Sequence, residues 1–139
     1  YDGLYNTKWP GRFEIFDHQI VLDGAHNIGG IQALKTSIQS IYPQRRIICL
    51  FSVMKDKQHK KMIEELDNFC SELYFTEFDY IRRADAEDLF FESHHYKKSF
   101  HHDHKAIFNQ LSKNLEENDI LLVTGSLYFI SEIRKILVQ

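Results

Sequence analysis

The sequence predicts an α/β domain built on a mostly parallel sheet, and three observations carry that reading. Short apolar runs of strand length alternate with longer stretches in which apolar residues recur at helical spacing. The 139 residues suffice for one proper core and are too few for two. No internal repeat, linker or low-complexity segment interrupts the order from Trp9 onward.

The elements follow in turn. Phe13–Phe16 reads as a strand, joined to Ile20–Leu22 through the polar turn at Asp17–Gln19, so this first pair is expected to be antiparallel. Ile31, Leu34, Ile38 and Ile41 then fall on one helical face. Ile47–Val53 is a continuous apolar run and reads as a buried strand. A second helical stripe follows at Met62, Ile63, Leu66, Phe69 and Cys70, and Leu73–Thr76 reads as the next strand. Ala84–Phe91 predicts a shorter helix whose Asp85 and Glu87 suit an amino terminus. After a strand near Lys98–Phe100 comes a third stripe at Ile107, Phe108, Leu111 and Leu115. Ile120–Thr124 is the last strand, followed by a fourth stripe at Ile130, Ile133 and Leu137. Each stripe needs a sheet face to cover it, which places helices against the sheet. Residues 1–8 are polar and aperiodic and read as the end of an interdomain linker.

Composition excludes some partners. A hydrophobic fraction of 43%, a charged fraction of 27% and a net charge of -3 describe an ordinary globular domain with no broad attraction to nucleic acid or anionic membranes. No apolar stretch reaches the length of a spanning helix, and no secretory pattern opens the chain. Cys49 and Cys70 do not form a disulfide framework, which fits a reducing, cytoplasmic setting. The first residue is Tyr1 and not methionine, so the sequence reads as a piece of something longer.

The most informative stretch is Asp23-Gly24-Ala25-His26-Asn27, at the junction between a strand end and a helix start. Open α/β sheets bind ligands at that edge. Gly24 permits a tight turn, Asn27 can cap the helix, and free backbone N–H groups there favour an anion. Asp23 then offers a carboxylate and His26 a ring that titrates near neutral pH. The alternative is an Asp and an Asn that only turn and cap the chain. Arg12, eleven residues before Asp23, is either a phosphate or carboxylate clamp or a solvated surface cation. Trp9 reads as a packing residue. Thr124-Gly125-Ser126 repeats the strand–turn–helix pattern, with Ser126 as a helix cap or a ligand contact. Lys55-Asp56-Lys57 lies on the same sheet edge and reads as solvated charge.

His94, His95, His101, His102 and His104 gather in one stretch, but their spacing matches no tetrahedral metal motif. The cluster is expected to be solvent-exposed and metal-free. No GxxxxGK[ST] phosphate loop occurs anywhere in the chain.

Taken together, Trp9-Pro10-Gly11-Arg12, Asp23-Gly24-Ala25-His26-Asn27, Lys55-Asp56-Lys57 and Thr124-Gly125-Ser126-Leu127-Tyr128 resemble the ordered signature of the folylpolyglutamate synthase/dihydrofolate synthase family, part of the Mur ligase superfamily. The resemblance covers residues 9–139. It implies a Rossmann-like carboxy-terminal domain of three layers, with one antiparallel strand and helices on both faces. It further implies an ATP-dependent ligase that joins glutamate to a folate or dihydropteroate through an acyl phosphate. The phosphate loop and the Mg2+ ligands would lie in an amino-terminal ATPase domain of the same, monomeric protein, so this chain alone is expected to be inactive.

By motif, the resemblance assigns Arg12 and Asp23 to ATP, with Asp23 near the metal, and His26 and Ser126 to the incoming glutamate. Asp23 and His26 are the catalytic candidates. These four residues are expected to converge on one sheet edge, with the backbone around Gly24 and Gly125 open to a ligand. Removing the Asp23 carboxylate is expected to cost the fold little unless it caps or pairs. Ser52 stands where the family commonly has glycine, for which only a local loop change is expected. Two other readings stay open: another Mur-type amide ligase, and a non-catalytic ligand-binding module.

Overall fold

The computed structural model describes residues 11–138; the linker and Trp9 readings fall outside them. Six strands form one sheet: β1 Glu14–Phe16, β2 Ile20–Asp23, β3 Arg46–Phe51, β4 Glu72–Thr76, β5 Lys98–His101 and β6 Asp119–Thr124, in the order β1-β2-β6-β3-β4-β5. Only the β1–β2 pair is antiparallel. The helices are α1 Ile28–Ile41, α2 His59–Phe69, α3 Ala86–Glu92, α4 His104–Lys113 and α5 Leu127–Leu137.

Period-two alternation sorts the apolar strands onto two faces. Val21, Cys49, Phe51 and Leu122 pack with Ile31 and Leu34 of α1, Met62 and Leu66 of α2, and Leu89 of α3. Their neighbours Leu22, Ile48, Leu50 and Val123 pack the other way, against Ile107 and Phe108 of α4 and Phe129 and Ile133 of α5. Strands buried on both faces are continuously apolar, which is why β3 and β6 were legible as runs. The three-layer α/β architecture is the expected one.

Local chemistry explains the ends. Asp17 and His18 both take left-handed backbone, with φ of 53° and 64°, and so close the β1–β2 hairpin without glycine. β3 stops at Phe51, two residues before the expected Val53. Beyond it the chain turns into a loop where the Ala84 N–H donates to the Val53 carbonyl. That bond also keeps Ala84 out of α3, which starts at Ala86 after Asp85.

The histidine cluster departs from expectation. His95 and His104 are buried. His95 Nε2 donates to the Cys70 carbonyl at 2.7 Å, and its Nδ1 accepts the Lys97 N–H at 2.9 Å. The His104 ring stands edge-on to Phe129. The other rings find different partners: His101 Nε2 lies 2.9 Å from Ser99 Oγ and His102 Nδ1 lies 3.3 Å from Glu77 Oε1. Cys49 and Cys70 are free, buried thiols.

Candidate ligand-binding cleft

β2 and β6 run side by side in parallel, with Asp23 opposite Thr124, so the two strand–turn–helix junctions emerge next to each other. The Asn27 side chain accepts the Gly30 N–H at 2.7 Å and caps α1, while Ser126 Oγ accepts the Tyr128 N–H at 3.1 Å and caps α5. Both capping readings hold.

Asp23 is held from two directions. Its Oδ1 accepts the Ala25 N–H at 2.9 Å and its Oδ2 accepts the Phe13 N–H at 3.1 Å. Burial pushes its carboxyl above the usual range, although these two N–H donors and the Arg12 charge act against the rise. The proviso on Asp23 applies, since it pairs: its carboxylate ties the Arg12 loop to the end of β2. The same loop is fixed by Gly24 N–H donating to the Gly11 carbonyl at 2.6 Å and by Gly11 N–H donating to Glu14 Oε1 at 2.9 Å. Glu14 is also paired with Arg134 of α5.

Two cavities open along this edge. The larger, about 860 Å3, is lined by Arg12, Asp23, Gly24, His26 and the Gly29 end of α1. The smaller, about 260 Å3, is lined by His26, Met54, Lys57, Arg82, Ser126 and Tyr128. His26 and Leu127 line both. Arg12, Asp23 and His26 are thus brought together, and Ser126 joins them through His26 in the adjoining cavity.

His26 Nδ1 lies 3.1 Å from the Gly24 carbonyl. A carbonyl only accepts, so Nδ1 carries the proton and a neutral ring keeps its lone pair on Nε2. Both Arg12 and His26 are exposed.

Gly24 lines the larger cavity, whereas Gly125 lines neither of the two. A Cβ on Gly24 would meet Leu127 Cδ2 at 2.2 Å, and one on Gly125 would meet the Ser52 carbonyl oxygen at 1.9 Å. At both turns the packed chain leaves no room for a side chain. Ser52, just past β3, donates its N–H to the Thr124 carbonyl at 3.3 Å, and both residues keep buried hydroxyl oxygens without a protein partner. Sequence reasoning missed Arg82 and underweighted Lys57. Arg82 follows Tyr80 and Ile81 in a loop with no motif, so only the folded chain brings it to the edge.

Parallel strands with helices on both faces, and a cation-bearing cleft at their carboxyl ends, define a ligand-binding α/β domain. The chain belongs to the Mur ligase, glutamate ligase domain family, whose model matches residues 11–127. It is 37% identical over 135 residues to a dihydrofolate synthase/folylpolyglutamate synthase of Bacillus subtilis, covering 96% of this chain and 31% of that protein. The chain therefore spans about a third of that relative's length.

Two solved structures share the fold. One is a bifunctional folylpolyglutamate synthase/dihydrofolate synthase of Yersinia pestis complexed with AMPPNP and Mn ion, with TM-score 0.86 and 21% identity over 99% of this chain and 33% of that one. The other is E. coli FolC in complex with DHPP and ADP, with TM-score 0.84 and 19% identity over 93% of this chain and 31% of that one.

Proposed function

We propose that this domain is the carboxy-terminal, amino-acid-binding part of a cytoplasmic, monomeric, ATP-dependent ligase of the folylpolyglutamate synthase/dihydrofolate synthase type, with residues 1–8 leading into it. The observation that supports this reading best is the position of His26 between two cavities, one lined by Arg12 and one lined by Ser126. A ligase must bring an activated acid and an amine together, and adjoining cavities suit that task. The relatives named above carry the same activity in their names.

ATP, when bound, supplies the phosphoryl group that turns a folate carboxylate into an acyl phosphate open to an amine. Arg12, exposed at the rim of a cavity of nucleotide size, fits phosphate oxygens. Asp23 sets where Arg12 stands by clasping the loop at Phe13. His26 Nε2 is free to take a hydrogen bond or a proton from the amino group of glutamate. Ser126 Oγ accepts the Tyr128 N–H, so its own proton remains for a carboxylate oxygen.

Among the described residues no group of three or more His, Cys, Asp or Glu side chains is placed to hold a metal by itself. Each Asp23 oxygen accepts one N–H bond and keeps a lone pair, so Asp23 can supply at most a single carboxylate beside a magnesium ion held mainly elsewhere. The main magnesium ligands belong to the amino-terminal ATPase domain in this reading.

The test is glutamate incorporation by the ligase that carries this domain, with ATP and a folate or dihydropteroate acceptor. ATP-dependent addition of glutamate is expected. Failure with every pterin acceptor, alongside ligation to another acid, would overturn the proposal in favour of a different amide ligase.

A further inference from the structure

Arg12 stands on a sharp turn between Gly11 at φ 83° and Phe13 at φ 48°, so both of its neighbours take left-handed backbone. Where such a turn is held decides where an exposed arginine on it can reach. Asp23 holds one side through the Phe13 N–H. The other side is held from a distant part of the chain.

Glu14 Oε1 accepts the Gly11 N–H at 2.9 Å, and the same oxygen accepts from Arg134 Nε at 3.1 Å and from Arg134 Nη2. The Glu14 side chain is 8% exposed and that of Arg134 28%, so the pair lies largely out of water. Arg134 belongs to α5, whose first residue, Leu127, packs on the same turn: a Cβ on Gly11 would meet Leu127 Cδ2 at 2.8 Å. Leu127 and Arg134 stand at i and i+7 and so share one helix face, two turns apart. The helix therefore grips the Gly11 turn at two points, while its cap, Ser126, lines the smaller cavity.

A buried ion pair adds little net stability over apolar side chains of the same volume. What sets this one apart is the group it acts on. Glu14 offers one oxygen to a backbone N–H and a guanidinium together, so the position of Arg134 is passed to the peptide that leads into Arg12.

We infer that Glu14 and Arg134 are positioning residues for Arg12: their ion pair fixes the Gly11 turn against α5 and so sets the Arg12 guanidinium at the rim of the larger cavity. Neither Glu14 nor Arg134 lines that cavity, so both act through Arg12 and not on the ligand. The inference rests on the ligase reading above, in which Arg12 receives phosphate oxygens, and adds the part of the domain that aims it.

The experiment is a double-mutant cycle on the ligase carrying this domain, comparing wild type, Arg12→Ala, Arg134→Met, Arg134→Lys and the pair Glu14→Gln/Arg134→Met, each Arg134 variant with and without Arg12→Ala. It reads the Kd of a non-hydrolysable ATP analogue by calorimetry, kcat/KM for ATP, and the thermal midpoint. Arg134→Met is expected to weaken analogue binding and lower kcat/KM for ATP by roughly 10- to 100-fold, the range that a displacement of about 1 Å produces in a positioned group. Beside Arg12→Ala the same substitution should change neither quantity by more than about twofold, because the group it places is gone. Its effect on the thermal midpoint should be alike in both backgrounds, which separates placement from loss of stability. Arg134→Lys, which keeps the charge, should recover part of the loss. The pair Glu14→Gln/Arg134→Met leaves no buried charge unpaired and carries the test if Arg134→Met does not fold. Folded variants with wild-type analogue binding and ATP kinetics, or an equal loss with and without Arg12, overturn this inference alone. Wild-type analogue binding and turnover in Arg12→Ala overturn the assignment of Arg12 to ATP, and this inference with it.

Discussion

The Oδ2 atom of Asp23 accepts the backbone N–H of Phe13 at 3.1 Å, across ten residues and between the last residue of β2 and the loop before β1. Phe13 sits in left-handed backbone, φ 48°, which costs a residue with a side chain about 1 kcal/mol or more. The conformation persists because Asp23 holds the N–H while the Phe13 ring is buried and stacks on Tyr42. The same strained turn carries Arg12 to the cleft.

Asp23→Ala should therefore destabilise the domain, leaving two backbone donors unsatisfied at a cost of about 1–3 kcal/mol. Asp23→Asn, whose amide keeps one accepting oxygen, should lose less. Urea denaturation of the three proteins decides the point. A loss no larger than that of an ordinary surface substitution, about 0.5 kcal/mol, would mean the clasp contributes nothing.

The pH dependence of stability should carry two opposed contributions. Burial raises the Glu72 carboxyl, but bonds from Tyr74, Lys97 and Arg46 outweigh it and hold the group below its ordinary 4.5. Its folded value lies below the unfolded one, so its contribution is complete above about pH 4.5 and lost as pH falls through the folded value. Asp23 lies above its ordinary 3.8, so its ionisation works against the fold as pH rises from there through the raised value. Midpoints measured from pH 3 to 7, a window of roughly four units around these carboxyls, should show Glu72→Gln with a shallower acid loss and Asp23→Asn with a steeper one. Parallel curves for all three proteins would contradict both assignments.

Two glycines should respond oppositely to alanine. At Gly125, φ is 124° and an added Cβ would stand 1.9 Å from the Ser52 carbonyl oxygen. Gly125→Ala should cost more than about 2 kcal/mol or prevent folding. An added Cβ on Gly29, in the first turn of α1, would meet only Asn27 Oδ1 at 3.7 Å. Gly29→Ala should be neutral or stabilising by up to about 1 kcal/mol. Equal thermal midpoints for the two variants would show that the β3–β6 junction is looser than the backbone contacts imply.

The 139-residue chain by itself should not release ADP from ATP in the presence of folate and glutamate. It carries no GxxxxGK[ST] loop, and no metal-binding group occurs among the described residues. A coupled ADP assay on the purified chain tests this, and turnover by material free of complete ligase would relocate the phosphate site into this domain.

Local chemistry in the sequence determined much of this protein. Apolar runs and stripes named the strands and helices in order, because burial on one face of a helix or both faces of a sheet imposes its own period. The caps Asn27 and Ser126 were readable for the same reason, since the groups they bond lie within three residues. Tertiary structure alone decided what joins distant segments. The order β1-β2-β6-β3-β4-β5, the clasp of Asp23 on Phe13, the closure of Ser52 over Gly125, the burial of His95 and His104 and the meeting of Lys57 with Arg82 all depend on which strands become neighbours. That choice follows from burying all the stripes at once, a cooperative condition that no single window of sequence contains.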